Sequence, residues 1–542
     1  MGNIIKNKPG LHLFFVLTMM LWCFVTDAQQ PAKKMNVIFF LVDDLGWNDV
    51  QCNNPNSFYE TPNINSFAKE GTRFTNAYAS CHVCSPSRAS IMTGKYPARL
   101  QLTDWLPGRK DYAFQQLKNA PINQHLPFED KTIAETFKEN GYRTAIFGKW
   151  HLGEDSSSPL QHGFDYRVTE WNKGWPLTYY SPFRLKGLEG PDGEYLTDRL
   201  TTEALKYIEQ NKDAPFFMYL SHFAVHDPIE GRADLVKKYQ EKLKKLPPSA
   251  MPYILEGNPD DPNPLSRQAL DEMIQQKEYA GYSILPHRTV KIKQRQDNVQ
   301  FAAVVESMDE SLGRVLAKLK ELGLEDNTIV VFVSDNGGMS GANFARPGKK
   351  FGEAALDKEF ATSNLPLRGA KGWFYEGGIR VPMIVKWPGH NTPNTTTDVP
   401  VISTDFYPTL LKMAGIAGNP KQTLDGVDFS PLLEGGGIKE RNLYWHFPHY
   451  SNHGMQSPGG AMRSGDYKLL EYFENGTVQL FDLRTDPYEQ HDLAATMPGK
   501  VKKMKKQLHA WQKKVHAAKM EPNPGYQPDT TPQTATTPLD TK

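Results

Sequence analysis

Two runs of this chain, residues 36–42 (NVIFFLV) and 328–333 (TIVVFV), are continuously apolar and β-rich, and each ends directly in acidic residues. A strand that alternates needs cover on one face only, whereas a strand apolar at every position must be covered on both. That is the condition of a central strand in a parallel sheet. Helical patterns lie between such runs: one covers 132–140 with Gly141 as its stop and leads into a strand-like stretch at 142–147. In another, Val305, Met308, Leu312, Val315 and Leu319 recur at helical spacing in a segment that closes at Gly323. The alternation predicts an α/β fold with a large mixed, mostly parallel sheet flanked by helices.

The texture changes from about Asn442 onward. Residues 467–472 and 477–483 flank Asn475-Gly476, which predicts a hairpin and a smaller C-terminal antiparallel sheet domain. Val501, Met504, Leu508, Trp511 and Val515 then form one helical stripe, expected to dock on the body. The expected organisation is a main α/β domain at 35–435, an antiparallel sheet plus helix at 436–520, and a disordered Pro- and Thr-rich tail at 521–542. Within the main domain, 227–300 reads as an insertion, a charged helical stretch (232–245) followed by a Pro- and Asp-rich loop.

Lys6 and Lys8 precede an apolar run at 13–25 and then Thr26-Asp27-Ala28, which reads as an export signal over 1–28 and places the protein in the periplasm or outside the cell. The run is shorter than the roughly 20 residues of a membrane-spanning helix and has no later counterpart, so the mature chain is expected to hold no integral membrane segment. Bulky Trp22 before Cys23 argues against lipidation there. Cys52, Cys81 and Cys84 remain, an odd number where disulfides are permitted, so at least one has another use. Cys52 and Cys81 fit either a disulfide or two buried thiols. With 62 Lys+Arg against 61 Asp+Glu, no global field gathers nucleic acid or an anionic membrane, and any anion preference must be local.

Asp43 and Asp44 stand just past one apolar strand, and Asp335-Asn336-Gly337-Gly338 just past the other. In open α/β sheets this edge is where ligands bind. Three carboxylates and an amide suit a hard cation, calcium before magnesium, because a mixed oxygen set tolerates irregular geometry. Asp residues also serve ordinary turns and caps, so the pair alone decides little.

The segment Cys84-Ser85-Pro86-Ser87-Arg88 matches the signature Cys-x-Pro-Ser-Arg, and residues 89–100 (ASIMTGKYPARL) continue the match. Further motifs follow in order: GKWHLG at 148–153, FFMYLSHFAVHDP at 216–228, then Lys371-Gly372 and YEGGIRVP at 375–382. Over most of the chain from Asn36 on, the sequence resembles the formylglycine-dependent (type I) sulfatases of the alkaline-phosphatase-like superfamily, most of all bacterial carbohydrate sulfatases. The resemblance implies that a formylglycine-generating maturation enzyme oxidises Cys84, and that Asp43, Asp44, Asp335, Asn336 and the modified Cys84 hold a calcium ion. It also implies that Lys149 and Lys371 contact sulfate with Arg88 nearby, that His151 acts on the modified residue, and that His226, rather than His222, serves the leaving group.

Cations around a sulfate monoester offset its charge and that developing on the leaving oxygen. A sugar oxygen leaves as a basic alkoxide and needs a proton, the task expected of His226 beside Lys371. For the alcohol, Asp104, Trp105, Arg109, the segment from His162 to Trp175, and His446 with His449 are the expected pocket residues, because aromatic faces stack on sugars and Asp, Arg and His bond their hydroxyls. The expected substrate is a sulfated carbohydrate, such as a galactose or N-acetylgalactosamine sulfate of a host or environmental glycan. Two other readings stand beside it: a phosphoester or phosphonate monoester hydrolase of the same superfamily, and a non-catalytic binder of sulfated glycans should Cys84 stay unmodified.

Overall fold

The computed structural model describes residues 1–2, 34–248, 252–277, 281, 284–341, 360–453 and 456–527. The expected export signal, apart from Met1 and Gly2, and the last part of the expected tail lie outside them. The main sheet has eight strands: β1 (Asn36–Val42), β2 (Thr72–Phe74), β3 (Arg143–Gly148), β4 (Tyr166–Val168), β5 (Phe216–Ser221), β6 (Thr328–Ser334), β7 (Met383–Lys386) and β8 (Thr395–Thr397). Their order is β8-β2-β7-β6-β1-β5-β3-β4. From β6 to β4 all neighbours run parallel, while β7 is antiparallel to both β6 and β2.

β1 lies in the middle with every residue buried, as its unbroken apolar run requires. Ile38, Phe40 and Val42 enter one core and Val37, Phe39 and Leu41 the other. Each such side chain contributes about 1.5–3 kcal/mol on full burial. The helices that cover the faces are α1 (Pro62–Glu70), α2 (Cys84–Thr93), α3 (Ile133–Glu139), α4 (Leu196–Gln210), α5 (Ala233–Leu243), α6 (Val299–Glu321) and α7 (Phe406–Met413), and α8 (Pro498–Lys514) follows in the C-terminal part. The first core is filled from α1, α4 and α6, the second from α2, α3 and α7. Local signals set their ends. Thr132 and Glu135 form a capping box at the start of α3, and the Asn298 side chain accepts from Gln300 and Phe301 at the start of α6. No helix among the described residues is long and apolar enough to cross a membrane.

The segment at 227–300 contributes α5, which packs on α6 with Lys238 bonded to Glu306, and then a small antiparallel sheet of Tyr253–Glu256, Ile284–Leu285 and Thr289–Lys293. The C-terminal sheet is a meander of β9 (Asn442–Phe447), β10 (Gly459–Ser464), β11 (Tyr467–Tyr472) and β12 (Val478–Asp482). Gly476 turns the last hairpin at φ +74°, and Met504, Leu508, Trp511 and Val515 bury the stripe of α8 on this sheet. Glu521-Pro522 pairs with Leu117-Lys118, and the Gln527 amide donates to Ala113 at 2.8 Å. Residues 521–527, within the expected tail, are thus held by backbone pairing in place of apolar burial. Cys52, Cys81 and Cys84 are all free.

A fully buried ionic group ties the C-terminal sheet to the main domain: Lys468 Nζ lies 2.9 Å from Glu376 and 2.8 Å from Glu489. Lys468→Met leaves two buried carboxylates without their cation and is expected to cost about 3–5 kcal/mol in urea unfolding. Lys238→Ala breaks a pair that is 40% exposed at the lysine and is expected to cost about 1 kcal/mol or less. Equal losses would show that the buried group does not hold the sheet in place.

Candidate active site

Strand register assembles the site. β1 and β6 pair Val42 with Ser334, so Asp43-Asp44 and Asp335-Asn336 leave the sheet side by side. β3 and β5 pair Gly148 with Ser221, so Lys149 emerges on the same edge. The ladder runs one step further, with Asp335 N donating to Val42 O at 3.1 Å, Asp43 N to Ala224 O at 2.8 Å and Lys149 N to Ser221 O at 2.8 Å. Gly148 has φ +93°, and a Cβ there would lie 2.2 Å from Ser221 O, so this crossing accepts no side chain. Asp44 (φ +62°) and His151 (φ +57°) take left-handed conformations, an uncommon backbone state for residues other than glycine, held by the surrounding bonds.

Cys84 is the first residue of α2, where the helix dipole favours negative charge, and Arg88 follows one turn later. Cys84 Sγ lies 3.2 Å from His151 Nδ1. His151 Nε2 lies 2.9 Å from Leu106 O, an acceptor only, so Nε2 carries the proton and Nδ1 turns its lone pair toward residue 84. Burial first, then Lys149, holds this imidazole well below the ordinary histidine range, so it is a neutral base.

Asp43, Asp44 and Asp335 are buried and offer one oxygen each within 4.8 Å of one another. Three cations meet them: Lys149 Nζ at 2.6 Å from Asp43, Lys371 Nζ at 2.7 Å from Asp44, and Arg88 Nε at 2.8 Å from Asp335. Arg88 also donates to Ser221 Oγ at 2.6 Å and to Lys149 O at 3.1 Å, so it grips the carboxylate floor and not the cleft. Burial pushes Asp43 up to about 8 against the opposing pull of Lys149. Against burial, Lys371 and His226 hold Asp44 below the usual carboxylate range, and Arg88 and Lys149 do so for Asp335.

Two oxygens of this group lack a hydrogen-bond donor although buried, Asp43 Oδ1 and Asn336 Oδ1. The Asn336 amide nitrogen donates to Asp44 Oδ1 at 2.7 Å and Gly337 O at 3.0 Å, which fixes its oxygen away from them. An all-oxygen set with two unmatched buried acceptors fits a hard divalent cation. No second cluster of this kind occurs among the described residues.

Above the floor, Cys84, His151, His226 and Lys371 border a narrow cleft with Trp105, Gly174, Trp175 and His453. His226 Nδ1 lies 2.6 Å from Asp227 Oδ1, and Nε2 lies 3.0 Å from Lys371 Nζ. Against burial and Lys371, which lower it, the carboxylates of Asp227, Asp44 and Asp43 raise His226 to about 9. The His226–Lys371 pair therefore keeps a transferable proton at the cleft. His222 sits in the core, with Nε2 2.9 Å from Ser311 Oγ and its ring against Phe40.

Of the residues expected to ring the entrance, Trp105 and Trp175 border the cleft. Asp104 accepts the Trp105 amide at 2.8 Å, and burial pushes it up to about 7. Arg109 donates to Ser451 O at 2.8 Å, joining the loop of Trp105 to the C-terminal domain. The expectation is corrected here: neither Asp104 and Arg109 nor His162, His446 and His449 line the cleft. His162 stacks on Phe128 at 4.6 Å and meets Ser157 Oγ, His446 meets Ala518 O, and His449 meets Thr103 Oγ1, each at 2.8 Å. Rings matched in this way pack the interior, and burial lowers them to about 4, 4 and 3. The sequence reading missed His453, which borders the cleft from between β9 and β10; its one signal is an Asn-His pair shortly after the strand-like run at 442–447.

A family model described as Sulfatase matches residues 35–416, and one described as N-sulphoglucosamine sulphohydrolase, C-terminal, matches 369–517. A "Sulfatase" of Formosa agariphila is 30% identical, over 94% of each chain. An "N-acetylglucosamine-6-O-sulfatase" of Bacteroides thetaiotaomicron is 25% identical, over 94% of this chain and 91% of its own. Among solved structures, Ps i-CgsB in complex with k-i-k-neocarrahexaose has TM-score 0.64 and 26% identity, over 93% of this chain and 96% of its own.

Calcium added to chelator-treated protein is expected to raise its melting temperature, with about 2.7 kcal/mol gained at a hundredfold excess over Kd. Asp335→Asn, nearly isosteric, is expected to abolish that rise. Identical melting with and without calcium in the unsubstituted protein would remove the cation from the cluster.

Proposed function

The chain belongs to the sulfatase family and is a sulfate ester hydrolase, and from that premise we propose that it is exported and removes sulfate from a carbohydrate through formylglycine at Cys84 and a calcium ion at Asp43, Asp44, Asp335 and Asn336. The observation that carries this reading is the placing of Cys84 at the start of α2, 3.2 Å from the lone pair of His151 and above a floor of three carboxylates. A separate maturation enzyme is needed to oxidise the thiol, and Cys84 Sγ stands where the new oxygen would be.

A formylglycine at residue 84 would supply a hydroxyl nucleophile in its hydrated form, and a cation held by Asp43, Asp44, Asp335 and Asn336 would supply the charge that makes that hydroxyl more acidic. The chain's own groups do the rest. Lys371 and Lys149 bring positive charge to the sulfate, with the open end of α2 adding its dipole. His226, oriented by Asp227, passes its proton to the departing sugar oxygen, with Lys371 beside it to compensate the charge left behind. His151 Nδ1, set as an acceptor by the Leu106 carbonyl, takes a proton from residue 84. Arg88 touches neither substrate nor water in this scheme; it is a positioning residue that holds Asp335 and Asp43.

The sugar is read from the walls and from relatives. Trp105 and Trp175 offer ring faces for stacking and His453 a polar edge for a hydroxyl. Similar proteins are named for N-acetylglucosamine and N-acetylgalactosamine sulfates, and a similar structure is in complex with k-i-k-neocarrahexaose. These support a galactose or N-acetylgalactosamine sulfate as the first class to screen.

Mass spectrometry of protein made with a maturation enzyme is expected to show an aldehyde at residue 84, and Cys84→Ala to lose turnover with its fold intact. Full activity in that variant would refute the nucleophile. His226→Ala is expected to slow a sugar sulfate by about 10² to 10⁴ while affecting nitrophenyl sulfate, which leaves as a stable anion, far less. His151→Ala is expected to slow both and to accumulate sulfated enzyme. Equal losses in His226→Ala with no accumulation in His151→Ala would mean the two roles are wrongly assigned.

A further inference from the structure

Between residues 498 and 519 the chain carries eight lysines and no Asp or Glu, although its charges balance overall. The apolar stripe of α8 is buried on the C-terminal sheet, which turns the lysines outward. Lys502, Lys506, His509 and Lys513 fall at i, i+4, i+7 and i+11, one line along the solvent face roughly 16 Å long at about 1.5 Å rise per residue. Lys503 and Lys514 flank that line, and all six side chains are exposed.

Few carboxylates answer them. Glu471 takes Lys505 at 3.0 Å and His509 at 2.6 Å. Lys502, Lys503, Lys506, Lys513, Lys514 and Lys519 have no acidic partner among the described residues. A helix face that needed only solubility would interleave Glu with Lys, since like charges four residues apart repel. Lys500, Lys502 and Lys503 also crowd the first two turns, the end where the helix dipole disfavours cations. Lys513 and Lys514 suit the last turn of the helix, but Lys502, Lys503 and Lys506 gain nothing there from the dipole or from a carboxylate, whereas an external polyanion would meet them.

A groove of about 540 Å³ runs along the face, bordered by Pro498, Val501, Lys502, Lys505, Lys506 and His509. No large apolar side chain of α8 is exposed, so the helix lacks the wedge that enters a bilayer and the rings on which nucleobases stack. Ammonium groups on flexible stems suit sulfates at irregular spacing. We infer that this face of α8 is a non-catalytic binding site for sulfated polysaccharide, holding the polymer while the cleft acts on one of its sulfate esters. The inference rests on the sulfated-carbohydrate reading of the cleft.

The test compares the full chain with a variant carrying Lys→Gln at 502, 503, 506, 513 and 514, on immobilised dextran sulfate and on neutral dextran over a salt series. The unsubstituted protein is expected to bind dextran sulfate alone, with steep salt dependence. The variant is expected to lose about tenfold or more in affinity with a flatter salt slope, while turning over nitrophenyl sulfate at the same rate. Lys→Arg at the same positions is expected to keep binding, and Lys502→Gln with Lys506→Gln serves should the larger variant fail to fold. Equal binding by the Gln variant and the unsubstituted protein overturns the inference. So does equally tight binding to phosphatidylserine vesicles or duplex DNA, which would make the face a general anion surface. Turnover of nitrophenyl sulfate without dextran sulfate binding refutes this inference alone. Binding through α8 with no sulfate released from any saccharide refutes the proposed function alone.

Discussion

Three carboxylates buried at one sheet edge are the constraint on which the rest of the structure depends. Asp43, Asp44 and Asp335 are at most 1% exposed, and ionised carboxylates are not stable in a protein interior without positive charge at contact distance. That demand fixes where Lys149, Lys371 and Arg88 must reach, and so fixes the segments that bear them. Lys149 comes from the end of β3, Arg88 from α2, and Lys371 from the 369–380 segment. The parallel register of β1 with β6 and β5 is therefore an electrostatic requirement as well as a packing one. A slip of one residue would separate Asp43 from Asp335 and send the alternating residues of β1 into the wrong cores.

The same demand explains the C-terminal sheet. The segment carrying Lys371 buries Trp373, Phe374 and Tyr375 in a core that it shares with the C-terminal sheet, and its next buried charge, Glu376, is met by Lys468 from β11. Glu489 completes that group and accepts the Glu376 amide at 2.7 Å. The sheet thus acts at a distance from the cleft through charge and at the cleft through His453. An apolar core that the sheet shares with the main domain, pinned by fully buried ion pairs, gives a geometry that is specific because any other pairing leaves a charge unmatched.

Legibility in the sequence followed the range of the physics. β1, β6, α3 and α8 were readable because their signals are local: unbroken apolar runs, a glycine stop, a helical stripe. The carboxylates were readable because they end unbroken apolar runs, and Cys84 because it opens the signature at 84–88; the family motifs then supplied the partners. The pocket wall was not, because a histidine in a loop carries no mark of which way it faces. His162, His446 and His449 are held in packing by Ser157, Ala518 and Thr103, contacts separated by 5, 72 and 346 residues along the chain. Only the nearest of those lay within reach of a local reading. His453 went unnoticed for the converse reason, since its place depends on Gly372, where a Cβ would lie 2.5 Å from that of His453.

The four histidines held below the ordinary range, His151, His162, His446 and His449, and the one raised, His226, are all buried, so burial cannot be what divides their tasks. What differs is the charge each one faces. His151 lies beside Lys149 and the guanidinium of Arg88, and its one firm partner is a carbonyl, so it is kept neutral with a lone pair available. His226 lies among Asp227, Asp44 and Asp43, which outweigh Lys371 and favour the charged ring. Two imidazoles on one cleft are driven in opposite directions by opposite fields, which is how a site separates its acid from its base. The separation follows from chain order at the sheet edge. The strand that ends in Lys149 delivers its histidine two residues later among cations, and the loop after β5 delivers His226 next to its own Asp227 and above Asp44.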